Sequence, residues 1–235
     1  MKHRISILTL IKDRKLFFGS LMLLLTTGVL SGWIVGNNYT VCSSPLHHSF
    51  WLNVFFINYT FMGDAFFAVC LAAFFIFYLK RKKTGYALLF AFLFTEAAVQ
   101  VAKNLLNMYD AGIFVEAGQT IVNHGLQESR AYYHFPSGHT AIAFALATVF
   151  LFILKNKAWQ LPILCAATLL AYSRIYLAQH SFPDVLTGTV LGTLAGVFSF
   201  YLVFGPANSF SKFRNISRIC YNKNRRESLQ PLSGV

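Results

Sequence analysis

Pro136-Ser137-Gly138-His139 sets a turn residue, a hydroxyl, a glycine and an imidazole directly before an apolar run, 141–154. If that run is a helix, its first-turn N–H groups lack intrahelical partners and carry the positive end of the dipole, so an anion binds readily there. Gly138 lets a ligand approach the backbone, and His139 can give or take a proton near neutral pH. A plain helix cap by Ser137 accounts for the same four residues. The second stretch with chemical content is Ser173-Arg174, near the end of another apolar run, followed by Gln179-His180-Ser181-Phe182-Pro183-Asp184. Pro183 suits the first turn of a new helix and Asp184 suits its dipole. A carboxylate four residues after His180 can hold one ring nitrogen and leave the other nucleophilic, as in a catalytic triad. The alternative is that Asp184 only caps the helix. A third set, Glu96, Gln100, Lys103 and Asn107, recurs at helical spacing as one polar stripe. Inside a membrane helix such a stripe faces protein or water; it is either a structural seam or part of a site, with Lys103 the functional candidate.

The elements that must position these residues follow from composition. Of 235 residues, 56% are hydrophobic and 12% charged, against about 25% charged in a soluble domain. The chain therefore reads as an all-α integral membrane protein. Six apolar runs, at 16–36, 61–79, 86–107, 137–154, 159–178 and 184–204, fit the roughly 20 residues that span hydrocarbon. They form one domain, 1–235, with six transmembrane helices. The segment 37–59, with Phe50-Trp51-Leu52 and Phe55-Phe56, suits an interfacial helix. Residues 108–135 read as a long functional loop, and 205–235 as a basic tail. Gly188, Gly192 and Gly196 repeat every four residues, a pattern that lets helices pack closely.

A net charge of +12 in a soluble protein would point to nucleic acid. Here 17 of the 20 Lys and Arg lie in four clusters flanking apolar runs, at 1–15, 80–83, 155–157 and 212–226. Such clusters mark the cytoplasmic side and touch anionic headgroups, so the partner is a bilayer and not nucleic acid. Both termini are then cytoplasmic. Lys103, Arg130 and Arg174 fall at or near the outer face, with Ser137, His139, His180 and Asp184. The four cysteines show no paired spacing, and His134, His139, His180 and Asp184 lack a zinc-binding spacing. No metal or other cofactor is expected.

Read jointly, Pro136-Ser137-Gly138-His139 and, 33 residues on, Ser173-Arg174-x5-His180-x3-Asp184 resemble the motifs of the type 2 phosphatidic acid phosphatase superfamily. That family includes bacterial membrane lipid phosphatases, glucose-6-phosphatase and vanadium haloperoxidases. The motif resemblance covers about 103–184, and the six-span layout extends it to most of the chain. It implies a helical bundle of that family's type and a metal-independent lipid phosphatase working through a phosphohistidine. His180 would attack phosphorus, Asp184 would orient it, and His139 would protonate the leaving oxygen. Lys103, Ser137, the Gly138 N–H and Arg174 would hold the phosphoryl oxygens. The family's first motif, Lys-x6-Arg-Pro, is met at Lys103 but has Asp110-Ala111 in place of Arg-Pro. An acid there repels an anionic substrate, and Arg130 is the candidate to compensate.

A site at the outer helix ends implies an outer-leaflet lipid of a bacterial inner membrane. An isoprenyl diphosphate or lipid A ranks ahead of glycerophospholipid phosphates. A lipid phosphotransferase and a degenerate lipid-phosphate binder are the alternatives within the family. A small transporter with a charge relay is the alternative outside it, against which the charges gather at one face and no inverted repeat is evident.

Overall fold

A computed structural model describes residues 7–35, 49–116, 135–177 and 179–205. Among them every regular element is helical, the form in which a segment satisfies its own backbone groups without water. Helix α1 (Ile7–Asp13) leads into α2 (Lys15–Val35). Helices α3 (Phe50–Thr60) and α4 (Ala65–Ala73) are joined by a 3-10 turn, Phe61–Gly63, and α4 runs into a π-helical turn, Phe74–Tyr78. Then follow α5 (Lys82–Glu116), α6 (Gly138–Ile153), α7 (Gln160–Tyr176) and α8 (Phe182–Phe204).

Length and apolarity qualify two single helices to cross a membrane, Lys82–Leu105 of α5 and Phe182–Phe204. The pair Phe50–Gly63 and Ala65–Tyr78 qualifies as a third path, bent by 58°. The interfacial helix and the second span expected from the sequence are thus two arms of one broken path. Helices also stand where the first, fourth and fifth spans were expected, but Lys15–Ser31 and Gly138–Ile153 are shorter apolar segments. The third span does not end at 107 in a loop: α5 continues to Glu116. Hydropathy falls where polar residues begin, whereas a helix needs only its own backbone hydrogen bonds to continue. The rest of the expected loop, 117–134 with Arg130, and the tail beyond 205 lie outside the described residues.

Helix α6 is the hub. One side packs Ile142, Ala145 and Val149 against Ala68 of α4 and Leu88 and Ala91 of α5. The other packs Phe144 and Leu151 against Phe17 of α2 and Leu164 and Ala171 of α7. Its third neighbour is α8, and the glycine repeat explains how close the two lie. A Cβ at Gly188 would stand 2.6 Å from the Ser137 carbonyl oxygen and one at Gly196 2.6 Å from that of Ala145, while one at Gly192 would run into the Ala141 carbonyl. The paired positions advance together, so α6 and α8 run parallel with both N-termini at one end. Gly192→Val is therefore expected to force the helices apart and cost about 3 kcal/mol, the upper range for overpacking. Thermal unfolding in detergent should show the loss, and Leu194→Val, at a 61% exposed position, should leave the midpoint nearly unchanged.

The opposite end of the bundle is basic. Arg14 donates to the Leu154 carbonyl, Phe75 meets Phe150 at 5.8 Å, and Lys155, Lys157 and residues 80–83 are exposed there. The outward faces are apolar, with Trp33 87%, Trp51 77% and Phe77 78% exposed, which suits a hydrocarbon surround and not water. Buried hydroxyls of Thr95, Thr148 and Thr189 bond back to carbonyls one turn earlier, so each is satisfied within its own helix.

Candidate active site

The second motif region is built by the chain reversal between α7 and α8. The N–H groups of Gln179 and His180 both donate to the Arg174 carbonyl, at 3.0 and 3.3 Å. Such reach-back bonds close a helix end, and here they fix the spacing between Arg174 and His180. Ser181 then starts α8, with Pro183 and Asp184 in its first turn. Asp184 Oδ2 accepts from the Ser181 N–H at 2.8 Å and lies 3.5 Å from His180 Nδ1. One oxygen thus both caps the helix and faces the imidazole. The side chains of His180 and Asp184 are only 8% and 9% exposed, and in such surroundings a charge interaction is screened far less than at the surface.

The first motif is locked to the second through the backbone. The Ser137 N–H donates to the Asp184 carbonyl at 3.1 Å. The Ser137 hydroxyl is fully buried. It accepts from the Thr140 N–H at 3.4 Å and shares a hydrogen with the Thr140 hydroxyl at 3.0 Å. The side chain thus caps α6. Beside it Gly138 faces open space, since a Cβ there would meet nothing within 4 Å. The Phe135–Pro136 peptide bond is cis. Two helix N-termini, those of α6 and α8, converge here, and their positive ends favour an anion between them.

Arg174 is 8% exposed. Its Nη1 donates to Thr60 Oγ1 at 2.9 Å, while its Nε is buried with no hydrogen-bond partner among the described residues. A buried guanidinium with a spare donor is ready to bind an anionic acceptor. His139 is more open, with its side chain 34% exposed, and its Nε2 lies 3.8 Å from Asp64 Oδ2. The charges of Arg174, Asp64 and His180 all act on it, so the two motifs and the α3–α4 bend share one electrostatic neighbourhood. Lys103 joins through Glu96, which feels the charges of both Lys103 and Asp64.

The structure thus brings together His139, His180, Asp184, Arg174, Ser137 and Gly138, with Lys103 linked through Glu96. The polar stripe is only partly kept: Gln100 is exposed and donates to Asn104 Oδ1 at 3.2 Å. The side chains of Asn107 and Asp110, and all of Arg130, lie outside the described residues. Two members of the cluster were not legible beforehand. Thr60 and Asp64 sit on either side of the α3–α4 turn, one on Arg174 and the other on His139. Asp64 did leave a signal, as the sole acidic residue between Asp13 and Glu96 in an apolar stretch, where a carboxylate usually has a task. Thr60 left none. Among the described residues no three His, Cys, Asp or Glu side chains group as a metal site.

Comparison with known proteins adds three findings. The PAP2 superfamily model matches residues 84–206, just over half of the chain and every member of the cluster except Thr60 and Asp64. A lipid A 4'-phosphatase of Porphyromonas gingivalis is 36% identical over 66 residues, which is 28% of this chain and 28% of that protein. The match thus spans little more than a quarter of the relative's length. No solved structure matches.

Proposed function

Since the chain belongs to the PAP2 superfamily, we propose that it is a membrane lipid phosphatase, acting on a phosphate ester of an outer-leaflet lipid. Buried Arg174, whose Nε has no hydrogen-bond partner among the described residues, carries this reading. Its carbonyl accepts from the N–H of His180, and it stands beside two converging helix N-termini. Phosphoryl transfer asks for this more than for covalent machinery: positioning, and charge where the equatorial oxygens will be. Lipid A comes first among the substrates, on the strength of the Porphyromonas gingivalis relative, followed by an isoprenyl diphosphate. Two apolar grooves flank the polar cluster and suit lipid chains. One of about 360 Å³ is lined by Tyr59, Met62, Ala143 and Leu170, and one of about 400 Å³ by Gly28, Phe144, Phe182 and Val185.

In the reaction, Arg174, Lys103 and the Gly138 N–H hold the phosphoryl oxygens, and Ser137 keeps the turn in place through its cap. His180 attacks phosphorus as the ester P–O bond breaks, and the leaving oxygen takes a proton from His139. Asp184 orients the attacking ring and offsets its positive charge. His139, now neutral, takes a proton from water. The hydroxide so formed attacks phosphorus, the P–N bond breaks, and phosphate and free His180 result. Residues 1–235 act as one domain with six spans in a bacterial inner membrane. The basic end of the bundle is cytoplasmic and the site lies on the outer face; the exposed Lys80, Arg81, Lys82, Lys83, Lys155 and Lys157 at the end away from the cluster support that orientation.

Purified protein is expected to release inorganic phosphate from one class in a panel of lipid A, undecaprenyl diphosphate, phosphatidylglycerol phosphate and phosphatidic acid. EDTA should not slow it. No release from any lipid would sink the reading in favour of a binder without turnover. Phosphate appearing on a second lipid would replace the hydrolase by a phosphotransferase.

A further inference from the structure

We propose that Asp64 is a positioning residue for His139, delivered to it by the bend between α3 and α4; the inference rests on the phosphatase reading above. The Asp64 carboxylate is held from two sides. Its Oδ1 accepts from the Phe66 N–H at 2.8 Å as the N-cap of α4, which turns Oδ2 to stand 3.8 Å from His139 Nε2. Asp64 itself is extended, with φ −82° and ψ 150°, so the helix path breaks at this residue. The bend is seated as well as turned. Gly63 lies so close to α6 that a Cβ would stand 2.6 Å from the His139 carbonyl oxygen. Thr60, at the other side of the turn, receives the Arg174 guanidinium at 2.9 Å. Five residues, 60–64, thus touch both the anion-binding arginine and the proton-carrying histidine, which lie on different helices.

The charge balance gives Asp64 its task. His139 must carry a proton, and hence a positive charge, at the moment the leaving oxygen needs it. Burial disfavours that charge most, Arg174 and His180 repel it, and Asp64 attracts it. At 3.8 Å the contact is electrostatic and not a hydrogen bond, so it steadies the imidazolium and its ring plane without consuming its proton. The carboxylate touches no part of the reacting group; it acts through His139.

Asp64→Asn separates this task from folding, because Asn caps a helix as well as Asp does and keeps the Phe66 contact. The test is a double-mutant cycle on the full-length protein in detergent, with kcat for the lipid it turns over best measured for wild type, D64N, H139N and D64N/H139N. Radiolabelled lipid and long incubations keep the slow variants measurable. H139N is expected to lose about 10²–10⁴-fold, the range for a general acid–base group. D64N should lose about ten- to a hundredfold in kcat with KM little changed, and less than about twofold in the H139N background. Equal losses in both backgrounds would make Asp64 merely structural and overturn the proposal, as would no loss in the wild-type background. If wild type releases no phosphate from any lipid, the phosphatase reading falls and takes this inference with it.

Discussion

His180→Ala is expected to lower phosphate release roughly a million-fold, as loss of a nucleophile does elsewhere. The expectation rests on geometry as well as motif. His180 is held by its own backbone, whose N–H donates to the Arg174 carbonyl at 3.3 Å, so alanine keeps the turn and removes only the ring. Nothing else in the described cluster is placed to take over, because Asp184 is engaged on Ser181 and His139 sits at the mouth. Rapid quench in alkaline detergent, which preserves the acid-labile P–N bond, after mixing with lipid radiolabelled in its phosphate should leave label on the wild-type protein and none on the variant. Label on H180A, or an unchanged rate, would assign the nucleophile elsewhere.

Asp184→Asn is expected to cost about 10⁴-fold in kcat, the loss seen when the carboxylate behind a catalytic histidine becomes an amide. The amide keeps an oxygen for the Ser181 N–H, now accepted at 2.8 Å, so the start of α8 survives. Toward His180 Nδ1, 3.5 Å from that same oxygen, it offers only an uncharged acceptor, which no longer offsets the imidazolium. Because the pair is buried, that lost charge is not replaced by water. Thermal unfolding of D184N should stay close to wild type. Asp184→Ala should add about 1 kcal/mol of destabilisation from the lost cap. A D184N protein that is equally slow but also unfolded early would reduce Asp184 to a cap.

Local chemistry was legible in the one-dimensional chain wherever its cause was local. The spacing of His180 and Asp184 brings ring and carboxylate together, Pro183 marks a helix start, and Ser137 a cap; each depends on atoms within four residues, and each is found. The four-residue glycine repeat likewise foretold a close helix contact, though not that its partner would be α6 in parallel. Apolar runs marked where helices lie but not where they stop, since hydropathy reports the environment of a helix and not its hydrogen bonding. Hence α5 runs to Glu116 where a loop was expected, and 50–78 qualifies as one bent path where two separate segments were expected. Only tertiary structure decided which groups meet across the bundle: the Ser137 N–H on the Asp184 carbonyl, Arg174 on Thr60, and His139 facing Asp64. These contacts join residues more than forty positions apart, and their partners are chosen by how helices pack and where the chain bends. No local pattern records that choice, so Asp64 stayed a lone acid in an apolar stretch until the bend carried it to His139.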